Sequence, residues 1–308
     1  MKRRIATMMV ALPLMAGGVC LAEEPGMKTD SRMETKQMDN QKVVTKRLSK
    51  CIGKDIYNHE GKKVGDIKDV VLDGGTNRVS YVVISYGGVM GIGDKLFAVP
   101  WRALETRSVE PDKMFLNVSE DTMKNAPGFD EKHWPDMANK TFRDQIDTYY
   151  STNAADKANM AKHDAEMKAN EVVTADKAAA PQKEGLAWCR RASAVIGADV
   201  RNPANENLGS IDDLVVNAHN GKIQYAVLSF GGIMGIGDKL FAVPINSLQS
   251  KTDDDKFVLD VSKDRLKDAP GFNKKNWPDF ADPQFRSSVD DYYSTGGDTK
   301  KDAAAKTE

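Results

Sequence analysis

The sequence predicts a mainly β protein of α+β type: two small antiparallel β-barrels, each followed by a short amphipathic C-terminal helix. Three observations carry this reading. A unit a little over about 100 residues long occurs twice. Each copy holds several short β-branched runs separated by Gly-rich turns, with no spacing for a crossover helix. Each copy then ends in an aromatic pattern of helical period.

The chain of 308 residues is 40% hydrophobic and 29% charged, the range of ordinary folded domains. Its 44 basic and 45 acidic side chains nearly cancel, giving a formal charge of -1. No whole-molecule field is left to gather nucleic acid or an anionic membrane. Residues 47–150 carry 15 basic against 16 acidic residues and residues 186–295 carry 13 against 15, so neither copy is basic alone.

Residues 1–22 read as a secretory leader. Lys2, Arg3 and Arg4 precede the apolar Ile5–Ala22 run, and Cys20 and Ala22 take the small-residue positions for cleavage near Ala22. An uncleaved anchor is the alternative for so long an apolar run, but Pro13, Gly17 and Gly18 argue against it. Acylation on Cys20 wants a small residue at 19 and an aliphatic one at 17, where Val19 and Gly17 stand. The expected location is therefore the periplasm. Removing the leader takes away three cations and no anions, leaving a formal charge of -4.

Shifting the chain by 144 residues lays Ile52–Pro100 on Ile196–Pro244 without a gap, with 24 of 49 positions identical. After a one-residue deletion Ala126–Phe129 matches Ala269–Phe272, Trp134-Pro135-Asp136 matches Trp277-Pro278-Asp279, and Tyr149-Tyr150-Ser151 matches Tyr292-Tyr293-Ser294. The predicted division is a flexible tail over 23–46, a first barrel with its helix over 47–151, a linker over 152–185, a second barrel with its helix over 186–295, and a tail over 296–308. The linker is rich in Ala, Lys, Asp and Glu and lacks a broad apolar stripe, so the two barrels are expected to be separable.

Within the first copy, Lys63–Leu72 and Arg78–Tyr86 read as strands around the hairpin loop Asp73–Asn77. Lys95–Val99 and Met114–Val118 follow as two more, with Pro100 and Pro244 at strand ends. Phe142, Ile146, Tyr149 and Tyr150 then mark one face of a helix, repeated by Phe285, Val289, Tyr292 and Tyr293. That face is expected to pack over a barrel opening rather than to serve as an aromatic ligand surface.

The first copy runs I-G-K-D-I-Y-N-x-x-G-x-x-V-G-x-I-x-D-V-V-L-D and later Y-V-V-I-S-Y-G-G-V-M-G-I-G-D-K-L-F-A-V-P-W. These motifs, over Ser49–Leu104 and again over Ala194–Leu248, resemble the PRC-barrel family, named from the photosynthetic reaction-centre H subunit. The resemblance implies PRC-type barrels and a docking or adaptor module rather than an enzyme. The second copy departs at Asn202-Pro203-Ala204-Asn205, where the glycine of the first turn is absent.

The loop Gly87, Gly88, Gly91, Gly93, Asp94 recurs as Gly231, Gly232, Gly235, Gly237, Asp238. It resembles a phosphate cradle, yet runs into a strand instead of the helix that such cradles need, so it is read as a structural turn. No His occurs in both copies, and no nucleophile constellation is visible. The duplicated acids Asp55/Asp199 and Asp69/Asp213 sit beside turns, where Asp accepts from backbone amides. No catalytic residue, cofactor or metal ligand is assigned. A hydrolase using paired Asp residues and a metal- or small-ligand-binding protein stay open as alternatives. Met27, Met33 and Met38, with Met160, His163 and Met167, are the thioether and imidazole groups that a metal could use. Cys51 and Cys189 remain after the leader is removed, and either a disulfide or two free thiols is compatible with export. The expected partner is a protein, with at most peripheral contact with membrane and none with nucleic acid.

Overall fold

A computed structural model describes residues 43–86, 95–107, 110–152, 189–230, 239–250 and 256–294. The first copy begins with strand β1 (Thr45–Arg47) and a single helical turn, α1 (Leu48–Cys51). It continues through β2 (Asp55–Tyr57), β3 (Lys63–Asp73), β4 (Arg78–Tyr86), β5 (Lys95–Pro100), β6 (Leu104–Arg107) and β7 (Glu110–Leu116). Helix α2 (Glu120–Asn125), β8 (Gly128–Asp130) and helix α3 (Lys140–Thr152) complete it. The second copy repeats the order: β9 (Cys189–Arg191), α4 (Ala192–Val195), β10 (Asp199–Arg201), β11 (Asn207–Asn217), β12 (Ile223–Phe230) and β13 (Lys239–Pro244). It closes with β14 (Leu248–Ser250), β15 (Phe257–Leu259), α5 (Lys263–Asp268), β16 (Gly271–Phe272) and α6 (Pro283–Ser294).

Two eight-stranded sheets result, so the predicted mainly β class with short C-terminal helices holds. The first runs β6-β7-β2-β3-β4-β5-β8 with β9 beside β3 as its eighth strand, and the second β14-β15-β10-β11-β12-β13-β16 with β1 beside β11. Neighbours are antiparallel except for β2 with β7 and β10 with β15, which are parallel. The β3–β4 hairpin turns through Asp73, whose Oδ1 accepts from the Gly75 and Thr76 amides at 2.8 and 3.1 Å. Asn77 holds the left-handed φ of 51° there. The altered first turn of the second copy keeps its shape: Asn205 takes φ 65° where the first copy has Gly61 at 79°, and the Asn205 amide reaches the Asn202 carbonyl at 2.9 Å. Asparagine tolerates that conformation better than other side-chain-bearing residues.

Gly65 marks a close approach of backbones. A Cβ there would lie 1.8 Å from the Ser85 carbonyl oxygen, and at Gly209 2.0 Å from that of Ser229. Only glycine lets β3 and β11 run that near to their hairpin partners. The predicted helices form, with Ile146, Tyr150 and Val289 fully buried. They lie against β5 and β13 respectively. The Tyr149 hydroxyl donates to the Thr122 carbonyl at 2.7 Å, pinning α2 beneath α3.

Two expectations fail. The tail was expected to run through residue 46, but Thr45 and Lys46 belong to β1. The barrels are also not independent. Strand β1 pairs with β11 of the other copy, Thr45 opposite Asn217 and Arg47 opposite Val215. Strand β9 returns the exchange on β3, Val71 opposite Arg191 and Asp73 opposite Cys189. One hydrophobic cluster contains Leu48, Ile67 and Leu72 together with Ala192, Leu214 and Val216. The described residues all fall within one compact unit, Lys42–Glu308. The physical reason is that β10 covers only the first half of β11, and β2 only the first half of β3. The remaining edge needs a strand, and the other copy supplies it. Among the described residues no helix is long and apolar enough to cross a membrane.

Candidate functional site

One duplicated pair of acids, Asp69 and Asp213, lies at the junction between the two copies. The β3–β4 and β11–β12 ladders each slip by one residue before the acid, between Ile67 and Asp69 and between Ile211 and Asp213. A bulge of this kind re-aims the following side chain. It turns Asp69 and Asp213 inward, where they are 3% and 0% exposed.

Asp213 is met by four donors. Its Oδ2 accepts from Arg47 Nε at 2.7 Å and from Ser49 Oγ at 2.5 Å. Its Oδ1 accepts from the Ser49 amide at 3.0 Å and from its neighbour Leu214 at 2.8 Å. The guanidinium of Arg47 also lies 3.3 Å from the ring centroid of Trp277. The mirror arrangement surrounds Asp69, with Ser193 Oγ at 2.5 Å, the Ser193 amide at 3.2 Å and the Val70 amide at 2.8 Å. Arg191 stands 4.0 Å from that carboxylate and 4.8 Å from the Trp134 ring. Each acid thus caps the first turn of a helix that belongs to the other copy, where negative charge meets unsatisfied amides.

The hairpin tips complete the junction. The Val79 amide reaches the Gly221 carbonyl and the Ile223 amide reaches the Asn77 carbonyl, both at 2.9 Å. Trp101 lies over Gly221, where a Cβ would come within 2.8 Å of its ring, and its indole N–H donates to the Ala218 carbonyl at 3.2 Å.

These contacts locate the residues singled out from sequence. Asp69 and Asp213 do accept from backbone amides, each from the residue that follows it and from a serine across the junction. Asp55 is separate from them, tied to Lys63 at 2.6 Å on the surface. The Trp-Pro-Asp motifs supply Trp134 and Trp277, while Asp136 and Asp279 turn the chain toward α3 and α6 by accepting from Ala138 and Ala281 at 2.9 Å. The glycine loops 87–94 and 231–238 lie outside the described residues, as do the leader, Met27, Met33, Met38, Met160, His163 and Met167. A Cys51–Cys189 bridge is not formed, and both thiols are free. Cys51 is packed in α1 against β11, whereas Cys189 lies on β9 with its thiol 3.3 Å from the Met137 carbonyl. Burial pushes both thiols up to about 11.

Arg47, Arg191, Ser49 and Ser193 were missed from sequence. Extending the 144-residue register a few positions upstream brings each pair into coincidence. One feature at the junction is not duplicated. A cleft of about 230 Å³ is lined by Lys46, Arg47, Lys50, Lys54, Asp112 and Met114. In the second copy Ala194 and Ala198 replace Lys50 and Lys54.

A family model described as PRC-barrel domain matches residues 44–123 and 190–266. Both matches begin at the exchanged strands. No curated protein matches the chain.

Proposed function

Because the chain belongs to the PRC-barrel family, we propose that it is a non-catalytic protein-interaction module, exported to the periplasm and acting as an adaptor in the cell envelope. The observation that carries this reading is the engagement of Asp69 and Asp213. Each duplicated buried acid is held by hydroxyl and amide donors from the other half. A carboxylate so occupied positions backbone rather than moving protons for a substrate. The export part rests on the basic, apolar and small-residue order of residues 1–22. Crosslinking in intact envelopes followed by mass spectrometry tests the adaptor role, with recurrent crosslinks to one envelope protein as the expected result. Intact-mass analysis of the native protein tests export: a start near Glu23 supports it, and a retained Met1 would sink it.

The basic cleft favours a second reading, as a binder of a small anionic ligand. Lys46, Lys50 and Lys54 line it beside a single acid, Asp112, and the second copy has alanine in place of Lys50 and Lys54. Calorimetric titration with inorganic phosphate and with a dicarboxylate tests it. Saturable heat that is lost in the Lys50→Ala/Lys54→Ala variant supports this reading.

A further inference from the structure

The same pair of parts occurs twice in one chain. Each copy has a seat, the open edge of β3 or β11 with its buried acid, and each has a plug, the strand and helical turn that carry Arg-X-Ser. Arg47-Leu48-Ser49 enters the seat of Asp213, and Arg191-Ala192-Ser193 enters the seat of Asp69. Strand registers are equivalent as well, since Arg47 lies opposite Val215 and Arg191 opposite Val71, 144 positions apart. Such a self-complementary arrangement is that of a two-fold dimer.

We propose that this junction is an intermolecular docking surface closed on itself, and that its competent partner is a second copy of this chain. First and second halves from two molecules pair through the same Arg-X-Ser exchange. None of the contacts described above requires a peptide bond between the halves. The connection across residues 153–188 raises the local concentration of one half around the other, which favours the internal pairing while the chain is whole. Once it is cut, the pairing becomes an ordinary association between two chains.

The pairing is also directional. Turns α1 and α4 touch across the junction, with Leu48 and Ala192 both fully buried. Two first halves would force Leu48 into a space shaped for a methyl group, and two second halves would leave the leucine space empty. Both mismatches cost packing, so unlike halves pair in preference. None of this depends on the compartment or the envelope partner proposed above.

The test uses the full chain with a protease recognition sequence placed within residues 153–188 and cut after folding. Native mass spectrometry should find the two fragments together, one first half with one second half. Unlabelled and nitrogen-15-labelled cut samples are then mixed, unfolded in urea and refolded together. Complexes of one labelled and one unlabelled fragment should appear, always pairing unlike halves. The Arg191→Ala/Ser193→Ala variant, shown by circular dichroism to be folded while uncut, should weaken the fragment complex by roughly tenfold or more. Three results overturn the proposal: halves that separate as folded monomers, halves that cannot refold after cutting, or refolded complexes that never mix labels.

Discussion

Asp213 and Asp69 hold equivalent positions but unequal partners. Arg47 reaches Asp213 at 2.7 Å, whereas Arg191 stands 4.0 Å from Asp69 and is more exposed, at 49% against 27%. Asp213→Ala should therefore lower stability by about 2–4 kcal/mol, and Asp69→Ala by less, because it breaks a weaker ionic contact. Urea unfolding of the two variants gives the comparison, and equal losses would show that Arg47 adds nothing. Cys51 supports a second prediction. Burial raises its thiol from 9.0 to about 11, so the neutral form is favoured in the fold. The sign follows: this contribution is full below about pH 9 and fades as the pH rises through about 11. At pH 8 the thiolate is roughly a hundredfold scarcer than in the unfolded chain, so iodoacetamide should label Cys51 at least that much more slowly before unfolding. The duplicated acids were legible in the sequence, and their role as amide acceptors was too. Their partners were hidden because identity drops where Leu48 meets Ala192 and Lys50 meets Ala194.

Strand β1 is three residues long, yet it covers the edge of β11 from Val215 to Asn217. Deleting residues 1–47 should expose that edge. Amide exchange at 215–217 is expected to accelerate strongly, while 71–73, covered by β9, stays protected. Similar exchange at both edges after deletion would mean that β1 is dispensable. At the other end of the long strand, Gly65→Ala would drive a methyl into the Ser85 carbonyl. It should cost about 1–3 kcal/mol in thermal unfolding, and an unchanged melting temperature would mean that β3 moves aside freely. The long strands β3, β4 and β5 and the helices α3 and α6 were readable because their periods run over enough residues to count. Elements of three or four residues, such as β1, β2, β6 and β8, carry no period, and their pairing is decided by distant chain. The six-residue α2 and α5 were also missed, although Ser119 and Ser262 cap them by accepting from the Thr122 and Arg265 amides at 3.1 and 3.2 Å.

A core that includes Leu48 and Leu72 with Ala192 and Leu214 ties both copies into one cooperative unit. Differential scanning calorimetry should show a single transition whose calorimetric and van't Hoff enthalpies agree. Two resolved peaks would restore the separable barrels that the linker composition predicts. Internal similarity reveals that two units are alike. It does not reveal whether each unit finishes its own sheet, because an exchanged strand and a retained one have the same sequence. The Arg-X-Ser plug would read identically in either arrangement. Only the unequal cover along β3 and β11 distinguishes them, and that is a property of assembled strands.

The exchange also imposes an order in time. Strand β1 leaves the ribosome first but finds its place beside β11, and Arg47 waits for an acid 166 positions later. Closing so distant a contact is slow, since chain entropy must be overcome before any pairing rewards it. Until Cys189–Arg191 arrives, β3 has a bare half-edge and Asp69 lacks its donors from the other half. A chain threaded across a membrane from its N-terminus would therefore hold its first half incomplete for most of the passage, and native structure would form late, as both halves lock together.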